Sequence, residues 1–251
     1  FYTGSNWFDA GIKPIGTSVK DTWVLAMLHD GLALKSAGAD KVTKALTKQG
    51  QSYNDPDFVK AANCIKELVD MGAFIDGATG LSNDEASASF YAEQVPMYFT
   101  GSWMGGSIVT DAEKPDNFAV APIPVVNSKN ASVTDFMGGG SDTLMVSANT
   151  KNKDLAAAAA FEITRGVSKH AYLSGAGIPA WTVDYDASSV PALTQQVADI
   201  AGKATSYTLW FDTLMSSDDA GEYLTLLQSL FAGDLKPEEF AASMDKQLSK
   251  K

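Results

Sequence analysis

A strand-like run over residues 95–100 breaks off in Gly101-Ser102-Trp103, and further along three glycines, Gly138-Gly139-Gly140, lead into Ser141-Asp142 and a second strand-like run over 143–147. These two breaks constrain the fold more than any other feature of the chain. An indole just past a strand end needs room for a flat ring. Bare backbone at three successive positions either makes a tight turn or lets something approach the chain closely. A fold that meets both demands brings strand ends and loops to one surface. Such a surface suits a ring with an apolar face and hydroxyl edges, the face lying on an aromatic side chain and the hydroxyls meeting amides and carboxylates.

Around the two breaks, strand-like and helical segments alternate. Ile12-Lys13-Pro14-Ile15-Gly16 predicts a short buried strand after a helix stop at Gly11, and apolar Val24, Leu25, Met27, Leu28 and Leu32 predict a helix over 21–36. Residues 6–11 read as the end of a helix. Asp55-Pro56-Asp57 combines a cap, a first-turn proline and an acidic residue at the positive helix end, after which Phe58, Ala62, Ile65, Leu68 and Val69 share one face as far as Gly72. Ser82-Asn83-Asp84-Glu85 caps another helix that runs to Tyr91. Residues 118–123 and 143–147 read as strands, 153–165 as an alanine-rich helix and 168–174 as a short one; helices follow over 192–202, 218–232 and 237–248. Strands interspersed with helices predict an α/β fold.

Composition narrows the partners. With 45% hydrophobic residues in 251, the chain has ample material for a packed core. A formal net charge of −11 argues against nucleic acid or an anionic membrane surface, both of which need a basic footprint. Arg165 is the only arginine, so strongly anionic ligands fit poorly and a neutral polyol fits better. Cys64, the sole cysteine, falls on the apolar side of a helix, which leaves no internal disulfide and no thiolate cluster. The chain has no apolar stretch of about eighteen residues, and its start has neither the basic nor the apolar region of a signal peptide. Opening without methionine, it reads as a mature or truncated fragment.

Five tryptophans, Trp7, Trp23, Trp103, Trp181 and Trp210, are many for this length. An indole is also a good core residue, so exposure decides its role. Trp103, ahead of Gly105-Gly106, has small neighbours that leave its face open. The triple-glycine loop is not a phosphate loop, because no Lys-Ser/Thr pair follows; Gly175-Ala176-Gly177 follows a helix and is broken by Pro179, so it is not a dinucleotide fingerprint. His29 and His170 lie far apart with no metal-ligand spacing, and no Gly-x-Ser-x-Gly elbow occurs. Asp84-Glu85, Asp218-Asp219 and Glu238-Glu239 all fall in first turns of predicted helices, where the helix dipole accounts for them. Carboxylate spacing alone leaves a glycosidase-like acid and base pair open, but nothing demands catalysis, a cofactor or a metal.

Several phrases occur in one order along the chain: Gly11-Ile12-Lys13-Pro14-Ile15, Asp21-Thr22-Trp23, Asp55-Pro56, Gln94-Val95-Pro96-Met97-Tyr98 with Gly101-Ser102-Trp103, Asp116-Asn117-Phe118 with Pro122-Ile123-Pro124, Gly138-Gly139-Gly140-Ser141-Asp142, and the closing 230–240 stretch. In that order they resemble the extracellular carbohydrate-binding proteins of ABC importers, relatives of the maltose-binding protein. The resemblance implies a type II periplasmic-binding-protein-like, two-lobed α/β architecture that closes on an oligosaccharide and delivers it to membrane permease subunits without covalent chemistry. By position it implies Trp23 and Trp103 as stacking residues, Asp21 as a hydroxyl acceptor, Gly139, Gly140 and Asp142 as a loop beside the cleft, and Trp210 with Asp212 as a later cleft segment. It also implies an extracellular location, as a cell-surface lipoprotein or a periplasmic protein, with membrane association only through an N-terminal anchor that this sequence does not contain. The runner-up is a glycoside-acting enzyme or its carbohydrate-binding module.

Members of the resembled family begin with a signal peptide and over a hundred further residues that build most of the N-terminal lobe. Against that pattern, residues 1–143 and 185–251 correspond to the C-terminal lobe and 144–184 to a segment of the N-terminal lobe. A chain of this extent is expected to bind sugar weakly or not at all.

Overall fold

The computed structural model describes Trp7, residues 10–140 and residues 143–250. In chain order the elements are β1 (Ile15–Gly16), α1 (Thr22–Ala37), α2 (Ala39–Leu46), α3 (Pro56–Asp70), α4 (Asn83–Tyr91), β2 (Met97–Tyr98) and α5 (Met104–Asp111). After a 3-10 turn at Pro115–Asn117 come β3 (Asp135–Met137), α6 (Lys153–Ser174), α7 (Ala192–Ala201), β4 (Ser206–Thr208), α8 (Phe211–Leu214), α9 (Ser217–Ala232) and α10 (Pro237–Leu248). The alternation of helices with short parallel strands is the expected α/β class. Residues 6–11, read as a helix end, lie partly outside the described residues; Trp7 is helical, and its carbonyl accepts from the Ile12 N–H at 2.9 Å.

The chain forms two compact units. The first takes residues 1–100, 122–139 and 203–251; the second takes 101–121 and 140–202.

In the first unit, β1 pairs in parallel with β2 in the register Ile15 to Met97 and Gly16 to Tyr98, and Ile15 also bridges Phe74. A second parallel pair sets Asp135, Phe136 and Met137 of β3 against Ser206, Tyr207 and Thr208 of β4. The helices start where their sequences say they should. The Asp55 carboxylate accepts from the Asp57 N–H at 2.9 Å with Pro56 in the first turn of α3, and Ser82 and Glu85 close a reciprocal capping box on α4. The Ser216 hydroxyl caps α9, which Gly233 ends in the left-handed conformation. These helices pack around one core in which Leu25, Leu32, Val42, Tyr53, Phe58, Ile65, Leu227 and Phe240 are essentially inaccessible. Each such side chain contributes roughly 1.5–3 kcal/mol relative to exposure. Cys64 lies on the buried side of α3, as its position predicts.

The second unit is mostly helical. Gly105 and Gly106 bring α5 hard against the Gly175 turn: a Cβ on Gly105 would stand 2.7 Å from the Gly175 carbonyl oxygen, beside Thr194 of α7. These glycines serve packing, a different reason for their size than clearing space for Trp103. Residues 153–174, read as two helices, form one, because Gly166 costs a helix interior only about 1 kcal/mol and does not stop propagation. No residue of α6 is buried.

Four strand readings change. The runs over 12–16 and 95–100 pair as strands only at Ile15–Gly16 and Met97–Tyr98, and 118–123 and 143–147 form no strand. Their apolar runs lack a partner edge, and backbone groups without a partner do not make a ladder. Conversely β4 and α2 carry no strong sequence signal. They arise because Ser206–Thr208 meets β3, and because α2 buries Val42, Ala45 and Leu46.

Candidate functional site

In parallel α/β folds, ligand-facing residues follow the carboxyl ends of the strands. Within the first unit, Asp21 and Trp23 come after β1, Gly138 and Gly139 directly after β3, and Trp210 and Asp212 directly after β4.

Asp21 occupies the N-cap position of α1 without capping it. Its carboxylate instead accepts from the backbone N–H of Asn83 at 2.6 Å, while the Asp21 N–H donates to the Ser18 hydroxyl at 2.8 Å. Tyr98 joins this cluster: its hydroxyl donates to Asn83 Oδ1 at 3.0 Å, and burial pushes the phenol well above its ordinary range. Asp21 thus ties α1 to the start of α4. Two residues on, Trp23 is 42% exposed on the first turn.

The glycine loop is shaped by its neighbours. The Gly138 N–H continues the β3–β4 ladder to the Thr208 carbonyl at 2.8 Å. Gly139 has φ +79°, and a Cβ there would stand 2.8 Å from Cβ of Tyr207, so the position excludes every other residue on two counts. Gly140 is exposed and groups with the second unit; Asp142 lies outside the described residues.

Trp210 is half-buried at the N-cap of the short helix α8, and Asp212 is exposed, its carboxylate accepting from the Thr213 hydroxyl at 3.3 Å. Between them, Phe211 is fully buried, and its N–H donates to Oδ2 of Asp30 at 3.1 Å. Asp30 was invisible as a site residue, because an acid in mid-helix ordinarily faces water. It lies seven residues beyond Trp23 on the same helix face, about 10 Å along the axis. Its Oδ1 accepts from the Tyr223 hydroxyl at 2.6 Å, which in turn lies 2.8 Å from Nδ1 of His29. Burial pushes the Asp30 carboxyl up to about 8 and His29 down to about 3. His29 is thus a core residue, and His170 is exposed. The one sequence clue to this cluster is that His29-Asp30-Gly31 interrupts an otherwise apolar helix.

Lys35, from the same helix, is equally buried. Its ammonium donates to the carbonyls of Ser132 at 2.8 Å, Val133 at 3.0 Å and Asp135 at 2.5 Å, which fixes the chain where β3 begins. Desolvation lowers its pKa, and Asp135 opposes that shift.

In the second unit, Trp103 is 46% exposed at the start of α5. Its indole lies across Gly101, where any Cβ would fall within 2.1 Å of the ring. Gly101 is therefore the seat of this ring. Trp181 packs edge-on against Phe161 at 5.0 Å, and Arg165 pairs with Asp184 at 3.1 Å.

The structure brings Asp21 and Trp23 together on one turn, Gly139 and Trp210 together at the ends of one strand pair, and links the two sets through α1. A hollow of about 230 Å³ in the first unit, lined by Lys13, Gly72, Phe74, Asp76 and Phe231 among others, contains none of these residues. Among the described residues no cluster of His, Cys, Asp and Glu is arranged to hold a metal, and no helix is long and apolar enough to cross a membrane.

Residues 7–161 match the family model described as bacterial extracellular solute-binding protein. No curated protein sequence matches the chain. Among solved structures, one from work on xylan utilization by the thermophilic bacterium Caldanaerobius polysaccharolyticus is 31% identical with a TM-score of 0.92, covering 97% of this chain and 63% of that one. A chitin oligosaccharide binding protein is 22% identical with a TM-score of 0.84 over 96% of this chain and 60% of its own. A sugar transporter from Bacillus licheniformis, solved in complex with stachyose, is 18% identical with a TM-score of 0.73 over 97% and 62%. The last two likenesses concern the fold. The chain spans about six tenths of the length of the structures it matches.

Proposed function

From the premise that the chain belongs to the bacterial extracellular solute-binding protein family, we propose that it captures an oligosaccharide outside the cell membrane and hands it to the permease subunits of an ABC importer. The reading is of a binder that does no covalent chemistry. Trp23, Trp103 and Trp210 stack on sugar rings, Asp21, Asp212 and Asp142 accept from hydroxyls, and Gly139 with Gly140 lets the ligand reach the backbone. One observation carries this: half-exposed indoles and carboxylates follow the carboxyl ends of the parallel strands, where a ring-shaped polyol finds both kinds of partner. The xylan, chitin-oligosaccharide and stachyose contexts of the similar structures make oligosaccharides the ligands to try first.

The same proposal reads 144–184, which lies inside the second unit, as N-terminal-lobe material, the remainder as C-terminal lobe, and the protein as a lipoprotein or free periplasmic form. Calorimetric titration with xylo-, chito- and raffinose-series oligosaccharides tests it. Saturable heat with unchanged sugar is the expected result. No heat with any series, or the appearance of cleaved product, overturns it.

A further inference from the structure

The start of α8 is built in an unusual way. A helix leaves its first N–H groups without partners, and the N-cap position is where Ser, Asp or Asn ordinarily supplies an acceptor. Here that position holds Trp210, whose side chain makes no cap hydrogen bond. The acceptor comes instead from Asp30, 181 positions away in sequence and 3% exposed, whose Oδ2 takes the Phe211 N–H at 3.1 Å. A second hydrogen bond, from the Tyr223 hydroxyl to Oδ1 at 2.6 Å, holds the carboxyl in place. Phe211 is caged by rings on the same side of the core, with centroids 6.1 Å from His29, 5.6 Å from Tyr223 and 6.5 Å from Tyr53.

We propose that Asp30 is a positioning residue for ligand binding: by anchoring the Phe211 N–H from inside the protein, it sets the direction in which Trp210 and Asp212 leave the core. The proposal rests on the sugar-binding reading above. A polar group buried among aromatic rings is costly unless fully bonded, and an apolar residue fills such a space more cheaply. Burial raises the Asp30 carboxyl, to about 8, against the two hydrogen bonds from Tyr223 and Phe211 that lower it. What the carboxyl supplies, and an apolar side chain does not, is an acceptor that leaves the N-cap position open to an indole. The corner between β4 and α8 thereby presents a stacking ring where a capping side chain would otherwise stand.

Two substitutions separate positioning from packing. Asp30→Leu keeps the branched shape, in a somewhat larger side chain, and removes the acceptor; Asp30→Asn keeps an acceptor for the Phe211 N–H and turns its amide N–H toward the Tyr223 oxygen, whose hydroxyl then donates to His29 Nδ1. Hydrogen exchange over 209–214 and calorimetric affinity for xylo-oligosaccharides are read on both. Asp30→Leu is expected to speed exchange and to weaken binding by about tenfold, the scale of losing an anchor, while Asp30→Asn stays within about twofold of the natural protein. Faster exchange in a folded Asp30→Leu protein with unchanged affinity overturns the proposal, as does failure of Asp30→Asn to rescue binding. Should Asp30→Leu fail to fold, Tyr223→Phe removes one of the two bonds on the carboxyl and is expected to give a smaller change in the same direction; no change in either readout overturns the proposal. If the natural protein binds no oligosaccharide, the sugar reading falls by itself. Acrylamide quenching of a variant with Trp210 as its single tryptophan then decides on Asp30, an unmoved quenching constant in Asp30→Leu overturning its positioning role.

Discussion

Helices α3 and α6 look alike as sequences and end up in opposite circumstances. Both open with an acidic first turn and carry apolar residues at helical spacing. In the first unit, α3 buries Phe58, Ala61, Ala62, Cys64, Ile65 and Leu68 against α1 and α10. In the second, α6 leaves Leu155 70% exposed, Phe161 47%, Ile163 53% and Val167 61%, with Met145 before it at 90%. Amphipathic spacing proposes a buried face, and only a facing element completes it; helix stability in proteins comes mostly from that packing. The first unit has its facing elements within the chain. In the second unit no residue of α6 is buried, although Phe161 meets the Trp181 ring edge-on.

The sharpest way to break this contrast is truncation on both sides of it. Phe240→Ala, in the sealed core of the first unit, is expected to cost about 3–5 kcal/mol of unfolding free energy in denaturant, whereas Phe161→Ala should stay within about 0.5–1 kcal/mol. Equal losses would mean that the α6 face is covered in solution. A smaller effect concerns ligand contact. Trp23→Ala and Trp103→Ala are each expected to weaken oligosaccharide binding by about tenfold, or ~1.4 kcal/mol, with the unfolding midpoint nearly unchanged. Unchanged binding with a lowered midpoint would put these rings in the packing instead.

A further effect is on pH, where two buried groups in the first unit oppose each other below pH 6.5. Asp30, raised from 3.8 to about 8, contributes stability below pH 3.8 that is lost as pH rises to about 8; His29, lowered from 6.5 to about 3, contributes stability above pH 6.5 that is lost as pH falls to about 3. Between pH 4 and 6.5 the slopes offset each other, and above 6.5 the Asp30 slope acts alone. Tyr53 and Tyr223, both raised by burial, stay protonated throughout, and Asp212 pushes the Asp30 carboxyl further up. Denaturant titrations across pH 4–8.5 should show a plateau and then a decline. Asp30→Asn should abolish the decline while leaving the acid limb due to His29.

The parts of this fold that could be read beforehand are those whose signals are local. Asp55-Pro56, Ser82 with Glu85, and Pro237 each announce a helix start within four residues, and all three helices begin there. Strands of two or three residues are too short to show a period. Their existence depends on partners far away, as Asp135 on Ser206, so 118–123 looked more strand-like than β4 does. The candidate site divides in the same way. Trp23 and Trp103 stood out because an indole beside a helix start or a glycine is visible in the chain itself. Gly139 was legible as a glycine, but its reason, the Tyr207 side chain beside it, was not. Asp30 and Lys35 act through backbone groups roughly a hundred or more positions away, and no local pattern reports such a partner.

Helix α1 carries Trp23 on its first turn, Asp30 two turns later and Lys35 near its end, so one rigid rod sets the spacing among an indole, the α8 corner and the strand that feeds the glycine loop. Inserting or deleting a single residue between positions 23 and 35 would rotate one end of the rod by about 100° against the other and detach at least one of its three duties. Loops at the rim are free to change length and so tune which ligand is held. The segment 23–35 is a gauge block whose length descendants of this protein must inherit unaltered.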